Sequence, residues 1–195
     1  MKYQLNPSSQ QTTSQWSGGT TTELFIHPHG SNYQRRDFLL RISSARVEQE
    51  ESVFTCLEGF DRHLMVLEGE LQITHHGHHQ KEMKPFDTDY FMGDWETSAK
   101  GCVTDFNLML AQGLTGELKQ LCLGKEGSYS INPEGWDYVA IYIWQGSANV
   151  DGQSLTLEKG DFIIFELMGG DEPIMLSPST ERTIMVCCQI KNKPH

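Results

Sequence analysis

The sequence predicts an all-β protein made of two related halves. Apolar and polar side chains alternate along much of the chain, and Gly, Pro, Asn and Asp interrupt the alternation at short intervals. A pattern of strand, glycine bend, strand, turn and strand begins at His63 and recurs at Tyr138. No stretch carries a helical apolar stripe over three turns, so we expect at most one or two short helical turns. These observations predict two antiparallel β-sheet lobes of barrel or sandwich type, rigidly joined.

Eight runs of aliphatic, aromatic and β-branched residues carry the strand prediction, and Gly69 and Gly146 bend two of them. The runs are 38–43, 64–73, 103–110, 117–123, 138–150, 155–157, 162–167 and 183–190. Two short stretches, 113–116 and 125–128, are the candidates for the seam between the halves, and neither is long enough to act as a flexible linker. We therefore expect an N-terminal lobe over residues 1–112 and a C-terminal lobe over residues 113–195.

Composition sets the broad class of protein. The chain has 195 residues, with 26 acidic against 15 basic ones and a formal net charge of −11. A surface that repels phosphate argues against nucleic acid or an anionic membrane as a partner. The start of the chain has no apolar targeting segment, and no stretch approaches about 20 apolar residues. Five scattered cysteines without a CxxC pair indicate reduced thiols, so we expect a cytoplasmic protein.

Five short motifs in the first half carry a family resemblance. They are Trp16–Leu24, Arg41–Ala45, Gly59–Arg62, Leu67–Gly69 and Asp105–Met109. Their order and separations resemble those of the HutD/Ves family, which the second half resembles in pattern and length. This resemblance implies a bicupin, with two cupin-like β-barrel lobes of jelly-roll type, in the bacterial cytoplasm. It also implies an accessory role, in histidine catabolism for some members and in a stress response for others, without a particular catalytic activity.

The cupin resemblance raises the question of a metal cofactor. Cupin enzymes usually hold a metal through a His-x-His pair, a Glu and a later His from neighbouring strands. The corresponding stretch here is Phe60–Leu64, which has the single histidine His63, and the second half has none before the last residue of the chain. We therefore expect no cofactor and no standard cupin metal site. Asp61, His63 and Glu70 are the residues available for an unusual one.

The segment His75–His79 is a second place to consider for metal, since it holds four imidazoles around a glycine. Such a cluster chelates Ni, Cu or Zn in vitro. The equivalent position in the second copy of the pattern is a plain Asp151-Gly152 turn, and turn tips are exposed and tolerant of change. We expect adventitious metal affinity here, with a functional metal site as the alternative.

Arg41 and Arg62 are the candidates for ligand recognition. Arg41 interrupts the apolar run Phe38–Ile42, and a buried guanidinium requires a carboxylate partner, either internal or supplied by a ligand. Asp105 and Asn107 alternate with apolar residues and therefore share one face of their strand. Two interpretations stay open. One is a structural ion pair of Arg41 or Arg62 with Asp105, and the other is a pocket in which arginine binds a ligand carboxylate.

The pocket interpretation includes further residues. Asn107, Ser43 and Thr20 supply hydrogen bonds to the ligand in this interpretation. Trp16 and Glu23 flank a Gly-Gly-Thr-Thr-Thr segment whose backbone N–H groups and hydroxyls suit an anion. The same segment also suits a structural turn or bulge that the tryptophan fastens to the mouth of the barrel.

Two functions are consistent with these residues. The first is a binding or regulatory accessory protein for a small carboxylic acid, and the family resemblance points to urocanate or a formylated glutamate. The second is a metal-independent isomerase or hydrolase with Asp105 or His63 as base and Arg41 as carboxylate clamp. Asp61 or Glu23 is the acid–base partner of His63 in that case, while no Gly-x-Ser-x-Gly elbow is present. Partner binding through a sheet edge and formation of a homodimer both stay open.

Overall fold

The structure is a computed structural model that describes residues 1–193. Within that range the chain forms nineteen strands, one 3-10 turn at Ser8–Gln10 and no α-helix, so the all-β prediction is confirmed. The strands are β1 (Lys2–Asn6), β2 (Thr12–Trp16), β3 (Gly19–His27), β4 (Leu40–Val47), β5 (Glu51–Val53), β6 (Phe60–Glu68), β7 (Leu71–His75), β8 (His79–Met83), β9 (Thr88–Met92), β10 (Thr97–Lys100), β11 (Thr104–Ala111), β12 (Leu114–Gly124), β13 (Tyr129–Ile131), β14 (Tyr138–Gln145), β15 (Ala148–Val150), β16 (Leu155–Leu157), β17 (Phe162–Glu166), β18 (Ile174–Pro178) and β19 (Arg182–Asn192). None of the described residues belongs to a helix long and apolar enough to cross a membrane.

The strands group into two compact units, which differ from the expected lobes at the start of the chain. The N-terminal unit comprises residues 12–114, and the C-terminal unit comprises residues 1–11 together with the chain from 115 onward. β1 pairs antiparallel with β17 along its whole length, and Leu5 packs on the aliphatic core of the C-terminal unit. The expected division after residue 112 therefore does not apply to the first eleven residues.

The N-terminal unit contains a six-stranded sheet, β2-β3-β4-β11-β6-β9, and a four-stranded sheet, β5-β10-β7-β8. Neighbouring strands in both sheets pair antiparallel. Strands of both sheets contribute to one hydrophobic cluster: Val47, Leu64, Val66, Leu71, Ile73, Met83, Phe91, Ala99 and Val103. Successive residues of β4 and β11 are buried on both faces of the sheet, so even a polar residue in these strands lies inside the protein.

The C-terminal unit repeats this arrangement with the sheets β1-β17-β14-β19-β12 and β13-β18-β15-β16. A glycine with positive φ bends the chain at the same point of both units. It is Gly69 between β6 and β7 (φ 86°) and Gly146 between β14 and β15 (φ 76°). A side chain at either position would run into a backbone carbonyl oxygen, which explains why glycine marks the bend in both copies.

Several strands and the length of one turn differ from the sequence prediction. β2 and β3 were not predicted, because threonine, serine and glutamine give them little alternation of apolar and polar residues. The histidine-rich turn is also shorter than expected, since β7 extends to His75 and β8 begins at His79. Only the residues His76-Gly77-His78 connect these paired strands. His75 therefore lies in a sheet and not at a loop tip.

Candidate functional site

A row of buried polar side chains crosses the six-stranded sheet of the N-terminal unit. Arg41 and Ser43 lie on β4, Arg62 lies on β6, and Asp105 and Asn107 lie on β11, and all five are buried. The same residue of β11 is the register partner of both arginines, and Asn107 is the register partner of Ser43. These side chains therefore share one face of the sheet. The structure brings together five of the residues that the sequence singled out.

Arg62 is the centre of this polar row. Its Nη2 donates to Oδ1 of Asn107 at 2.8 Å, and Nδ2 of Asn107 donates to Oδ1 of Asp105 at 2.5 Å. The guanidinium carbon lies 4.9 Å from the ring centre of Phe54 and 5.0 Å from that of Phe91. Nε of Arg62 is buried and has no hydrogen-bond partner in the described part of the chain. Because an unpaired buried donor costs about 1–3 kcal/mol, and more when charged, this N–H marks a position for an acceptor.

Burial changes the charge of the polar row near neutral pH. It raises the pKa of Asp105 to about 7, against the opposing attraction of Arg62 and the hydrogen bond from Asn107. Burial also lowers the pKa of Arg62, although a guanidinium stays charged in proteins. Asp105 therefore exchanges a proton close to neutral pH, which is the range of an effective general acid or base.

Arg41 has a partner outside the predicted set of ion pairs. Its Nε donates to Oε2 of Glu23 at 2.9 Å, and its Nη1 donates to Oγ of Ser43 at 3.1 Å. The guanidinium carbon lies 4.5 Å from the ring centre of Tyr33. Within residues 1–193 neither arginine forms the expected direct ion pair with Asp105. The reason for the Arg41 pair is a β-bulge directly after Glu23, which changes the register with β4 and aims the carboxylate at Arg41.

Thr20 and Trp16 lie away from the polar row, on the hairpin of β2 and β3. Thr20 is the register partner of Arg46, which lies five residues, about 17 Å, along β4 from Arg41 and faces the opposite side of the sheet from Arg41 and Ser43. Trp16 is partly exposed, and its ring lies against Gly18. The structure thus does not bring the glycine-threonine segment to the arginines, and it supports the turn interpretation of that segment.

His63 and Asp61 also lie away from the polar row. Both alternate with Arg62 along β6, so their side chains point to the opposite face of the strand. The His63 ring lies 5.0 Å from that of Tyr90 on the neighbouring strand. Of the two predicted catalytic bases, only Asp105 belongs to the row.

His75, His79 and Asp89 form a second polar cluster in the N-terminal unit. Oδ2 of Asp89 lies 2.9 Å from Nε2 of His75, and Oδ1 lies 3.2 Å from Nε2 of His79. Nδ1 of His75 lies 2.7 Å from Oγ1 of Thr97, and burial lowers the pKa of His75 against the attraction of Asp89. Nothing in the sequence pattern singles out Asp89 and Thr97, because both are far along the chain from the histidines that they contact.

An open surface cleft of about 440 Å³ lies elsewhere in the N-terminal unit and is lined in part by Arg46, Glu48, Glu68 and Cys102. Arg46 and Glu48 pair at 3.3 Å, and both side chains are mostly exposed. Water and salt screen such surface pairs. None of the predicted site residues lines this cleft, so we place the candidate site at Arg62.

The fold of the chain is similar to that of cupin-like proteins of known structure. HutD from Pseudomonas fluorescens SBW25 (formate condition) is 18% identical, with a TM-score of 0.77, covering 99% of this chain and 100% of that one. The conserved protein of unknown function PA5104 from Pseudomonas aeruginosa PAO1 is 21% identical, with a TM-score of 0.80 and coverage of 98% and 100%. The bacterial pirin YhhW from Escherichia coli, in complex with nickel(II), is 11% identical, with a TM-score of 0.72 and coverage of 96% and 98%. At these identities the similarity concerns the fold.

The sequence itself identifies the family. The HutD family model matches residues 8–181, which is most of the chain, so the protein belongs to the HutD family. The predicted family resemblance is confirmed. No curated protein matches the chain significantly.

Proposed function

We propose that this HutD-family protein binds a small carboxylic acid at Arg62 in the N-terminal unit and acts as a binding or regulatory accessory protein. The observation that carries the proposal is the buried Nε–H of Arg62, which has no acceptor among the described residues. A carboxylate oxygen is a preferred acceptor for a guanidinium N–H, because both groups are charged and their shapes match. In this proposal the ligand carboxylate supplies the hydrogen-bond acceptor that Nε of Arg62 lacks among the described residues, and no metal ion takes part at this site.

The charges of the polar row support a ligand with one negative charge. Arg41 and Arg62 contribute two positive charges, and Glu23 opposes one of them through its ion pair with Arg41. Asp105, whose pKa burial raises to about 7, is neutral while it holds its proton. The row then has a net charge of about +1, which a monocarboxylate neutralises.

The aromatic rings around the arginines support a flat or very small ligand. Phe54 and Phe91 lie against the guanidinium of Arg62, and Tyr33 lies against that of Arg41. Rings that lie against a guanidinium hold it in a fixed plane, and a planar carboxylate matches that plane. Formate, the condition of the P. fluorescens HutD structure, is the smallest member of this ligand class. Urocanate, to which the family resemblance points, is a planar acid, and a formylated glutamate is the larger alternative.

The proposal includes the finer architecture and the setting in the cell. Each unit has two antiparallel sheets, which supports a bicupin with two jelly-roll barrels. The acidic composition and the scattered cysteines support a cytoplasmic protein without a nucleic-acid or membrane partner. Family membership supports a role linked to histidine metabolism or a stress response.

Calorimetric titration of the wild-type and Arg62→Gln proteins with formate, urocanate and formylglutamate tests the proposal. Loss of a charge-assisted hydrogen bond costs about 1.5–3 kcal/mol, so we expect Arg62→Gln to weaken binding by about 10- to 150-fold. Arg46→Gln is the matched control, since it changes an exposed arginine of the same unit and leaves the affinity unchanged. Equal affinities of the wild-type and Arg62→Gln proteins, or no binding of any of the three acids, would refute it.

An enzyme acting on a similar acid is the second candidate function, and the raised pKa of Asp105 favours it. In this case Asp105 is the general base and Arg62 holds the substrate carboxylate. His63 has no part in it, because it lies on the opposite face of β6. Analysis of the ligand after incubation separates the two functions. A binding protein returns the acid unchanged, whereas an isomerase or hydrolase converts it and Asp105→Asn abolishes the conversion.

A further inference from the structure

We propose that His75, His79 and Asp89 form a site for one divalent transition-metal ion, with zinc as the representative cation. Their donor atoms, one from each residue, all lie within 4.8 Å of one another. Two imidazole nitrogens and a carboxylate oxygen are a ligand set that zinc, iron(II), nickel and copper accept in proteins. The site is separate from the carboxylate site at Arg62 and does not depend on it.

Three strands hold the proposed ligands in place. His75 ends β7 and His79 begins β8, where the two residues are register partners and their rings lie 4.6 Å apart. Asp89 comes from β9, which belongs to the other sheet of the unit, and its carboxylate lies next to both imidazoles. Ligands on paired strands are more precisely positioned than ligands on a loop, which favours tight binding.

The distances from the two imidazoles to the Asp89 carboxylate are close to those of a coordination shell. Nε2 of His79 lies 3.2 and 3.3 Å from the two carboxylate oxygens of Asp89, and Nε2 of His75 lies 2.9 Å from the nearer one. Ligand atoms bound at about 2.0–2.1 Å to a tetrahedral zinc ion are about 3.3 Å apart. The His79 distance already has this value, and the His75 distance has to open by only about 0.4 Å.

Thr97 orients the His75 ring for metal binding. Oγ1 of Thr97 donates its single hydroxyl proton to the carbonyl oxygen of Trp95 at 3.2 Å. When Nε2 of His75 binds a metal ion, the ring proton is on Nδ1, which then donates to Oγ1 of Thr97, 2.7 Å away. The metal ion takes the place of the proton that otherwise bridges Nε2 and the carboxylate oxygen of Asp89, 2.9 Å apart. Metal-binding histidines are commonly held through their other nitrogen in this way.

One side of the proposed site is open to solvent. His75 and Asp89 are buried, whereas 40% of the His79 side chain is exposed, which leaves a path for the ion and room for water as a fourth ligand. Nζ of Lys81 lies 3.9 Å from Oδ1 of Asp89 and donates to the carbonyl oxygen of Thr88. The metal ion therefore replaces the contacts of the two imidazoles with Asp89 and a weak charge contact of Asp89 with Lys81.

The two remaining histidines of the segment have other contacts. His76 is exposed, and its Nε2 lies 3.1 Å from Oγ of Ser98. His78 stacks on Trp95 with ring centres 3.8 Å apart. The proposed site therefore uses only the first and last histidines of the segment, together with a carboxylate from another strand. Adventitious chelation by the turn, in contrast, depends on His76 and His78.

Titration of the full-length, tag-free and chelator-treated protein with zinc and with cobalt(II) tests the site. We expect one ion per chain and, for cobalt, the visible absorption of a four-coordinate site. His79→Ala and Asp89→Asn each remove a ligand, and we expect them to weaken zinc binding by more than about 100-fold. Thr97→Val removes the support of the His75 ring and is expected to weaken binding by about 10- to 100-fold. His76→Ala is the matched control and leaves the affinity unchanged.

Other results would overturn the metal site. Equal losses in His76→Ala and His79→Ala would indicate chelation by the turn. Binding that requires millimolar zinc, or that is unaffected by Asp89→Asn, would indicate an adventitious ion only. Circular dichroism of each variant separates a lost ligand from a misfolded protein, and the partly exposed His79 is the safest position for the substitution. None of these outcomes depends on whether a carboxylate binds at Arg62.

Discussion

The substitution Asp105→Asn tests whether the polar row contains a carboxyl group that titrates near neutral pH. Burial raises the pKa of Asp105 from its ordinary value of 3.8 to about 7. Between these two values the folded protein holds a proton that the unfolded chain has lost, so the stability falls as the pH rises through this window. Asparagine stays neutral and accepts the same hydrogen bond from Asn107, so the stability of the variant does not fall with pH in this window.

The size of the effect follows from the width of the window. Each pH unit between the two pKa values changes the free energy of unfolding by about 1.4 kcal/mol. Asp105 is already half ionised at pH 7, so Asp105→Asn should gain about 2 kcal/mol of stability relative to the wild type between pH 5 and pH 7. Above about pH 8 Asp105 is mostly ionised in both the folded and the unfolded chain, and the difference becomes constant.

Urea unfolding of both proteins at pH 5, 6, 7 and 8, followed by tryptophan fluorescence, measures this difference. Asp94→Asn is the matched control, because it makes the same change at an exposed carboxyl group of the same unit. Its stability should follow that of the wild type across the series. A difference between Asp105→Asn and the wild type that is the same at every pH would show that Asp105 does not titrate in this range.

Three further predictions concern ligand affinity, a glycine bend and the buried thiols. A bound anion favours the neutral form of Asp105. The dissociation constant for a carboxylate, measured by calorimetry, should therefore rise by up to about tenfold per pH unit above pH 7, and in Asp105→Asn it should not depend on pH. Gly69→Ala should lower the stability in urea by more than Gly77→Ala. The left-handed conformation costs about 1–2 kcal/mol at both positions, and only at Gly69 does the new side chain meet backbone. Burial raises the pKa of Cys187 to about 12 and also raises the pKa of Cys188, so neither thiol is reactive in the folded protein. Mass spectrometry after thiol labelling should therefore find modification only at the exposed Cys56, Cys102 and Cys122. Equal effects of the two alanines, a pH-independent affinity, or labelling of a buried cysteine without urea would contradict these predictions.

The repeated strand pattern was predictable because it depends on local properties of the chain. Gly69 and Gly146 interrupt apolar runs, and both are required where the backbone has positive φ beside a neighbouring carbonyl. The pairing of the first strand was not predictable. Lys2–Asn6 is short and partly polar, and it is ordered by pairing with β17, more than 150 residues along the chain.

The polar row was predictable as a set, whereas the pairing inside it was not. Arg41 and Arg62 stand out because charged residues in apolar strands need partners. The pairing of Arg41 with Glu23 depends on the β-bulge, which no local pattern indicates. In the same way, the strand end at His75 and the approach of Asp89 depend on long-range register. A histidine-rich segment could therefore be recognised from sequence, but not divided into buried and exposed residues.

The central claim is that the unpaired Nε–H of Arg62 receives a ligand carboxylate. A crystal structure of the protein in complex with formate or urocanate tests it most directly. We predict a carboxylate oxygen within about 3 Å of Nε, with Nη2 of Arg62 still donating to Asn107. A carboxylate bound elsewhere in the protein, with Nε of Arg62 still lacking an acceptor, would contradict the claim.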